Sequence, residues 1–263
     1  MPTRFNIGTS LLTSSLRLWN GTWGVLPAKT PAQLLELFDR EDEPECRMVR
    51  EALTELNMDV LIYPCPLGGQ RFFKKRLQLQ SKLPAKQVSQ TGPLLHDPNT
   101  GKVLAGAQAI ISYLFEHYLG QTAQTRLRPH LLNHVSAQLA RLARGGQAIA
   151  AEASSAPRKK LLLYSFESSP FARLVRERLC ALELPYQLIN VGKLKWGEMG
   201  PAVRRLAPGP YQPIAGSKRD HFLQTYGKVQ IPFLIDPNQN VELFESSEIM
   251  LYLEKQYAKS SRR

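Results

Sequence analysis

Pro44-Glu45-Cys46-Arg47-Met48-Val49-Arg50-Glu51 returns further along the chain as Pro170-Phe171-Ala172-Arg173-Leu174-Val175-Arg176-Glu177, a shift of 126 residues. Asp97-Pro98-Asn99 then returns as Asp236-Pro237-Asn238, and Ala109-Ile110-Ile111-Ser112-Tyr113-Leu114 answers Glu248-Ile249-Met250-Leu251-Tyr252-Leu253, both shifted by 139. A duplication of this span means one domain type built twice. Where two copies of one fold differ at a polar position, the difference points to function rather than architecture.

Each copy reads as the same series of elements. In the first, Leu34–Phe38 is an apolar run suited to a buried strand, and Cys46–Leu56 carries apolar residues at helical spacing. Asp59–Tyr63 is a second strand reached over a short loop, a βαβ unit with parallel strands and a right-handed crossover. Leu94-Leu95 and Val103-Leu104 flank the turn Asp97-Pro98-Asn99-Thr100-Gly101, a hairpin signal, and Ala107–Tyr118 closes the unit as an amphipathic helix. The second copy repeats this order with Leu161–Tyr164, Phe171–Leu182, Tyr186–Val191, Phe233–Ile235, Glu242–Phe244 and Ser246–Tyr257. Its thirteen additional residues fall between Lys193 and Gln230, where the glycines and prolines from 197 to 216 predict a loop or lid. Between the copies, His130–Leu142 is helical by pattern and Ala148–Pro157, rich in Ala and Ser, is expected to be flexible.

The expected organisation is an N-terminal extension over 1–30, a first domain over 31–120, a helical linker over 121–157, a second domain over 158–258 and a basic tail over 259–263. Ser15–Gly21 resembles Leu139–Gly145, so the N-terminal segment reads as part of the repeat. A cytoplasmic protein is expected, with an organellar address as the alternative because no acid precedes Glu36. The net charge of +12 favours anionic partners, but the basic residues are scattered and no nucleic-acid motif occurs. No apolar run approaches the ~20 residues of a membrane span. Three cysteines without paired spacing predict neither a disulfide framework nor a metal site.

Two candidate sites follow. The loop before the first helix of each copy reads Glu43-Pro44-Glu45-Cys46 and Ser169-Pro170-Phe171-Ala172. Helix N-termini stabilise negative charge, including a thiolate. Cys46, beside two carboxylates, and Cys65, between two prolines, are the candidate redox thiols; an inert buried thiol is the other reading of Cys46. Cys180 reads as core. In the second copy dithiol chemistry is excluded. Ser169 remains, either as a hydrogen-bond donor to a bound thiol or as a helix N-cap. Glu245-Ser246 opens the last helix of the second copy, where the first has Gly106-Ala107, so only the second keeps polar side chains for an anion and an ammonium.

The βαβ unit, hairpin and closing helix, with Pro232 and Pro93 at the third-strand entrances, form a thioredoxin-like arrangement. A cis bond before such a proline would expose the neighbouring backbone groups. Together with Tyr63-Pro64-Cys65-Pro66, Ser169-Pro170-Phe171, Ile231-Pro232-Phe233-Leu234 and Glu245-Ser246, it resembles the glutathione S-transferase N-terminal domain, in tandem, within the glutathione S-transferase and glutaredoxin superfamily. The resemblance implies two thioredoxin-like α/β domains, each a mixed sheet with flanking helices; the expected departure from the family is that no full C-terminal helical transferase domain follows the second copy. It also implies glutathione as ligand or co-substrate, an unidentified electrophile, no metal and an intramolecular pseudo-dimer. Carried over residue by residue, Ser169 activates the thiol. Phe171, Ile231, Pro232, Glu245 and Ser246 hold the tripeptide; Lys218 and Lys228 each read as a surface lysine, with a partner for the glycyl carboxylate as the alternative. The alternatives are a non-catalytic interaction protein of the same fold and a monothiol oxidoreductase.

Overall fold

The computed structural model describes residues 4–25, 29–85, 91–200 and 209–259, with side chains from residue 6 onward. Helix α1 (Arg4–Leu16) comes first. The first copy follows as β1 (Leu35–Asp39), α2 (Pro44–Glu55), β2 (Val60–Pro64), α3 (Phe73–Gln80), β3 (Leu94–Asp97), β4 (Lys102–Ala105) and α4 (Ala107–Tyr118). After α5 (Leu131–Ala143) the second copy gives β5 (Leu161–Ser165), α6 (Pro170–Ala181), β6 (Tyr186–Asn190), α7 (Lys218–Tyr226), β7 (Phe233–Asp236), β8 (Val241–Phe244) and α8 (Ser246–Tyr257). Among the described residues no helix is long and apolar enough to cross a membrane.

All eight strands form one mixed sheet in the order β4-β3-β1-β2-β6-β5-β7-β8. The join is the antiparallel pair β2–β6, which sets Leu61 opposite Gln187, equivalent positions under the 126-residue shift. Each copy would otherwise expose one strand edge with unpaired N–H and C=O groups, and pairing the two edges satisfies both. One face of the sheet carries the main core, continuous through both copies from Leu37, Met48 and Ile62 to Leu163, Leu188 and Leu253. The opposite face is covered in patches: α3 packs Leu79 over Phe38, Leu61 and Tyr63, and α7 packs Phe222 against Phe233.

Helices α3 and α7 were not legible in the sequence. The Ser217 hydroxyl accepts from Asp220 N–H and Gly227 ends α7 in the left-handed region, so the segment between Lys193 and Gln230, expected as a loop or lid, carries a well-capped helix after its glycines and prolines. Part of that stretch, 201–208, lies outside the described residues. The expectation of a flexible Ala148–Pro157 is corrected. The Ile149 carbonyl takes the Leu67 N–H, and the Glu152 and Ser155 N–H groups donate to the Ala181 and Tyr257 carbonyls. Arg71 also donates twice to Ser154. Satisfying its backbone groups on neighbours, the segment is a strap along both copies.

The N-terminal segment is indeed helical, but its register against the linker helix differs from the resemblance quoted above. Arg17 clamps Glu51 as Arg144 clamps Glu177, each through Nε and Nη2, so Arg17 corresponds to Arg144 rather than Arg141. The two helices are exchanged across the molecule: α1 packs on α6 of the second copy, α5 on α2 of the first, and the two on each other.

Candidate functional site

Charged side chains meet where the copies join. The loops after β1 and β5 carry Glu41 and Glu167, and the helices behind them carry Arg50 and Arg176, all buried. Glu167 Oε2 lies 3.0 Å from Arg50 Nε and 2.9 Å from Arg176 Nη2, while Glu41 Oε1 lies 3.0 Å from the same Arg176 nitrogen. Each loop carboxylate therefore binds the arginine of the opposite copy. Burial would raise the Glu167 carboxyl, but Arg176, Arg50, Arg47 and Arg173 outweigh it and pull it down to about 2. Gly21 (φ +77°) fits against this loop because a Cβ there would lie 2.6 Å from the Glu167 Cβ. The network fixes the loop that delivers Ser169 to the N-terminus of α6.

Beside that N-terminus opens a cleft of about 650 Å³, within the usual range of small-ligand sites. Ser169, Phe171, Ile231, Pro232, Glu245 and Ser246 all line it. Six of the eight second-copy positions singled out for the ligand in the sequence thus converge on one cavity. Pro232 follows a cis peptide bond, the only one among the described residues; the corresponding Gly92–Pro93 bond is not cis. Ser169 is 2% exposed, and its Oγ accepts from the Ala172 N–H at 3.3 Å. The capping role is real, yet it uses only a lone pair and leaves the hydroxyl proton to donate.

Glu245 stands before the first turn of α8 at φ +66°, where the first copy has Gly106 at φ +83°. A side chain held in this region costs of order 1–3 kcal/mol. Its carboxylate accepts from Gln230 Nε2. In the first copy, Glu45 Oε2 takes the Ala107 N–H at 3.3 Å, so the chain's own carboxylate sits on the N-terminus of α4. The position equivalent to Glu45 is Phe171, which has no acid to offer Ser246.

Several cleft residues were missed by sequence reasoning. Leu11 and Trp19, from α1 and the turn after it, form part of the wall. Lys193 and Arg219 are 7% and 5% exposed and lie 5.6 and 5.7 Å from the Phe166 ring. Arg219 donates through Nε to the Val191 carbonyl at 2.9 Å and sits 3.7 Å from Glu198, while its Nη2 has no hydrogen-bond partner. The expected lysines are elsewhere. Lys218 is turned to the Asn57 and Asn190 carbonyls and the Asp59 carboxylate, and Lys228 stacks on Phe244 at 4.2 Å. The Ser217-x-x-Asp220 capping pattern was the one available signal that placed this stretch on a helix and turned Arg219 to the other side from Lys218.

The thiols are poorly placed for reaction. Cys46 is fully buried and accepts a 3.4 Å contact from the Arg40 N–H. Burial, reinforced by Asp39, pushes it well above the ordinary thiol range despite Arg50. Cys65 is partly buried and pushed up to about 11 by burial, with Arg76 opposing. Burial also raises Cys180. Among the described residues no group of three or more His, Cys, Asp or Glu side chains is arranged to hold a metal ion.

The family model for the glutathione S-transferase N-terminal domain matches this chain twice, over residues 37–122 and 163–261. Comparison with curated proteins and with solved structures returned no match.

Proposed function

This chain belongs to the family of glutathione S-transferase N-terminal domains, two copies in one polypeptide, and we propose that its second copy binds glutathione and presents the thiol to an electrophile. One observation carries the reading. The first copy places its own Glu45 carboxylate on the N-terminus of its last helix, whereas the second leaves Ser246 facing the cleft with no acid at the equivalent position. A first-turn N–H has no partner within its helix, so it calls for an anion. The γ-glutamyl carboxylate of glutathione meets Ser246, and its ammonium meets the strained Glu245. The Ile231 backbone runs beside the cysteinyl unit as an added strand, and Phe171 covers it.

Ser169 then accepts from Ala172 and donates to the glutathione sulfur, which favours the thiolate. In the transfer step the sulfur lone pair forms the new bond to the electrophilic carbon. The displaced electron pair leaves with the electrophile's own leaving group or conjugated acceptor, and the thiol proton goes to solvent. On this reading residues 158–258 are the ligand-binding unit, 31–120 its degenerate partner in a pseudo-dimer, and Leu11 and Trp19 wall the space for the electrophile.

Calorimetric titration of glutathione into the wild type and Ser246→Ala is the test. A hydrogen bond to a charged group contributes about 1.5–3 kcal/mol, so Ser246→Ala weakens binding by roughly 10- to 150-fold. No heat with the wild type sinks the proposal. The near-complete burial of Ser169 favours a second reading, a binding protein without transfer activity. Ser169→Gly separates the two, because glycine is tolerated as an N-cap but donates nothing. For a transferase, the apparent thiol pKa in the complex rises by about 1–2 units and the neutral-pH conjugation rate falls. An unchanged rate favours the binding protein.

A further inference from the structure

Helix α5 faces the wrong way for an ordinary surface helix. Its inward residues are Asn133, Ala137 and Ala140, all buried. Its large aliphatics point to solvent: Leu131 and Leu132 are 77% and 74% exposed, Val135 and Leu139 47% each, and Leu142 72%. Residues 132, 135, 139 and 142 recur at spacings of three and four, which places them on one stripe over three turns. Single exposed leucines are unremarkable, but a continuous stripe of five marks a docking surface. The fold does not require it. Under the 127-residue shift that relates α1 to α5, Val135 and Leu142 correspond to Gly8 and Ser15.

Charge selects the occupant. From 117 to 151 the chain carries no Asp or Glu, within a protein of net charge +12. Of its arginines, Arg126, Arg141 and Arg144 pair with Glu55, Asp42 and Glu177, while Arg128 has no carboxylate partner among the described residues. Arg128 is exposed just before the first turn of α5, and Arg141, a third exposed and held 3.2 Å from the Asp42 carboxylate, lies in its last. A second copy of the chain would bring the same positive charge to the contact, whereas an anionic lipid surface attracts it. A helix of 13 residues spans ~20 Å along its axis, too short to cross a bilayer but suited to lie in its interface.

We propose that α5 docks this protein on anionic membranes, its Leu/Val stripe entering the headgroup boundary while Arg128 meets the lipid phosphates. The claim is independent of the glutathione site. The experiment is flotation of the full chain with phosphatidylcholine vesicles, with and without phosphatidylserine, alongside Leu132→Ser/Leu139→Ser/Leu142→Ser and sedimentation of both proteins without lipid. The wild type floats with phosphatidylserine vesicles, and the triple variant, with an unchanged circular dichroism spectrum and melting temperature, loses at least about tenfold in partitioning. Failure of the wild type to float, equal flotation without phosphatidylserine, or equal flotation of the triple variant would overturn the proposal. So would a lipid-free dimer that the triple variant dissolves, which would assign the stripe to a second copy.

Discussion

Replacing Glu167 by Gln tests whether the buried charge cluster holds the two copies together. The carboxylate is 3% exposed and lies 3.0 Å from Arg50, 2.9 Å from Arg176 and 3.6 Å from Arg47. An amide in its place leaves these guanidiniums and the buried Arg173 with one fewer buried counter-charge, the nearest remaining ones being Glu41 and Asp39. Breaking a buried ion pair from one side costs about 3–5 kcal/mol. The depressed carboxyl leads to a similar figure. A fall from 4.5 to about 2 corresponds to ~3 kcal/mol of preferential stabilisation of the ionised form in the folded state. For a chain near this length, 3–5 kcal/mol lowers the melting temperature by roughly 6–20 °C, as read by scanning calorimetry at pH 7.

The pH dependence carries a sign of its own. Because the folded-state value of Glu167 lies below its unfolded one, its contribution is intact above about pH 4.5 and drains away as pH falls toward 2. Asp39 acts oppositely. Burial, aided by Glu41 and Glu167 and opposed by Arg50, raises its carboxyl to about 6. The folded chain therefore takes this proton first, and stability rises as pH falls from about 6 to 4. Glu167→Gln should remove the acid limb below pH 4.5 and shrink the gain above it, because one of the charges that raise Asp39 is gone. A variant within about 1 kcal/mol of the wild type at pH 7, or one with an unchanged acid limb, would refute the reasoning.

Glu245→Gly relieves the backbone strain at φ +66° and should stabilise the fold by ~1 kcal/mol in urea denaturation, while weakening glutathione binding in calorimetry. Stabilisation without loss of affinity would remove Glu245 from the binding role. In the native protein at pH 8, a disulfide reagent should label Cys65 slowly and leave Cys46 and Cys180 unmodified until denaturant is added. Rapid labelling of Cys46 would revive the redox reading.

Much of the fold was legible because its signals are local. Ala107–Tyr118 and Ser246–Tyr257 were read with the ends that the structure gives, since apolar spacing and the preceding hairpin turns fix them. The hairpins were legible for a similar reason: Asp97 and Asp236 each accept the N–H of the asparagine two residues on, a turn written in three letters. Helices α3 and α7 escaped because their mean pattern is polar and only one face touches the sheet. In the cleft, Glu245 and Ser246 were found by comparing copies, and Ser169, Ile231 and Pro232 through the family resemblance. Lys193 and Arg219 were not, because nothing along the chain says which of many basic residues turns inward.

By itself, the sequence determined that one α/β unit is built twice and that the copies differ at the N-termini of their last helices. Repetition and side-chain identity are properties of the chain alone. Tertiary structure alone decided that β2 and β6 fuse the copies into one sheet, that α1 and α5 change sides, and that Glu45 closes the first site while the second stays open. Each of these rests on a contact between groups distant in sequence, or on a carboxylate whose direction is set by packing. A strand edge or a helix N-terminus asks for a partner, and only the folded chain shows who supplies it.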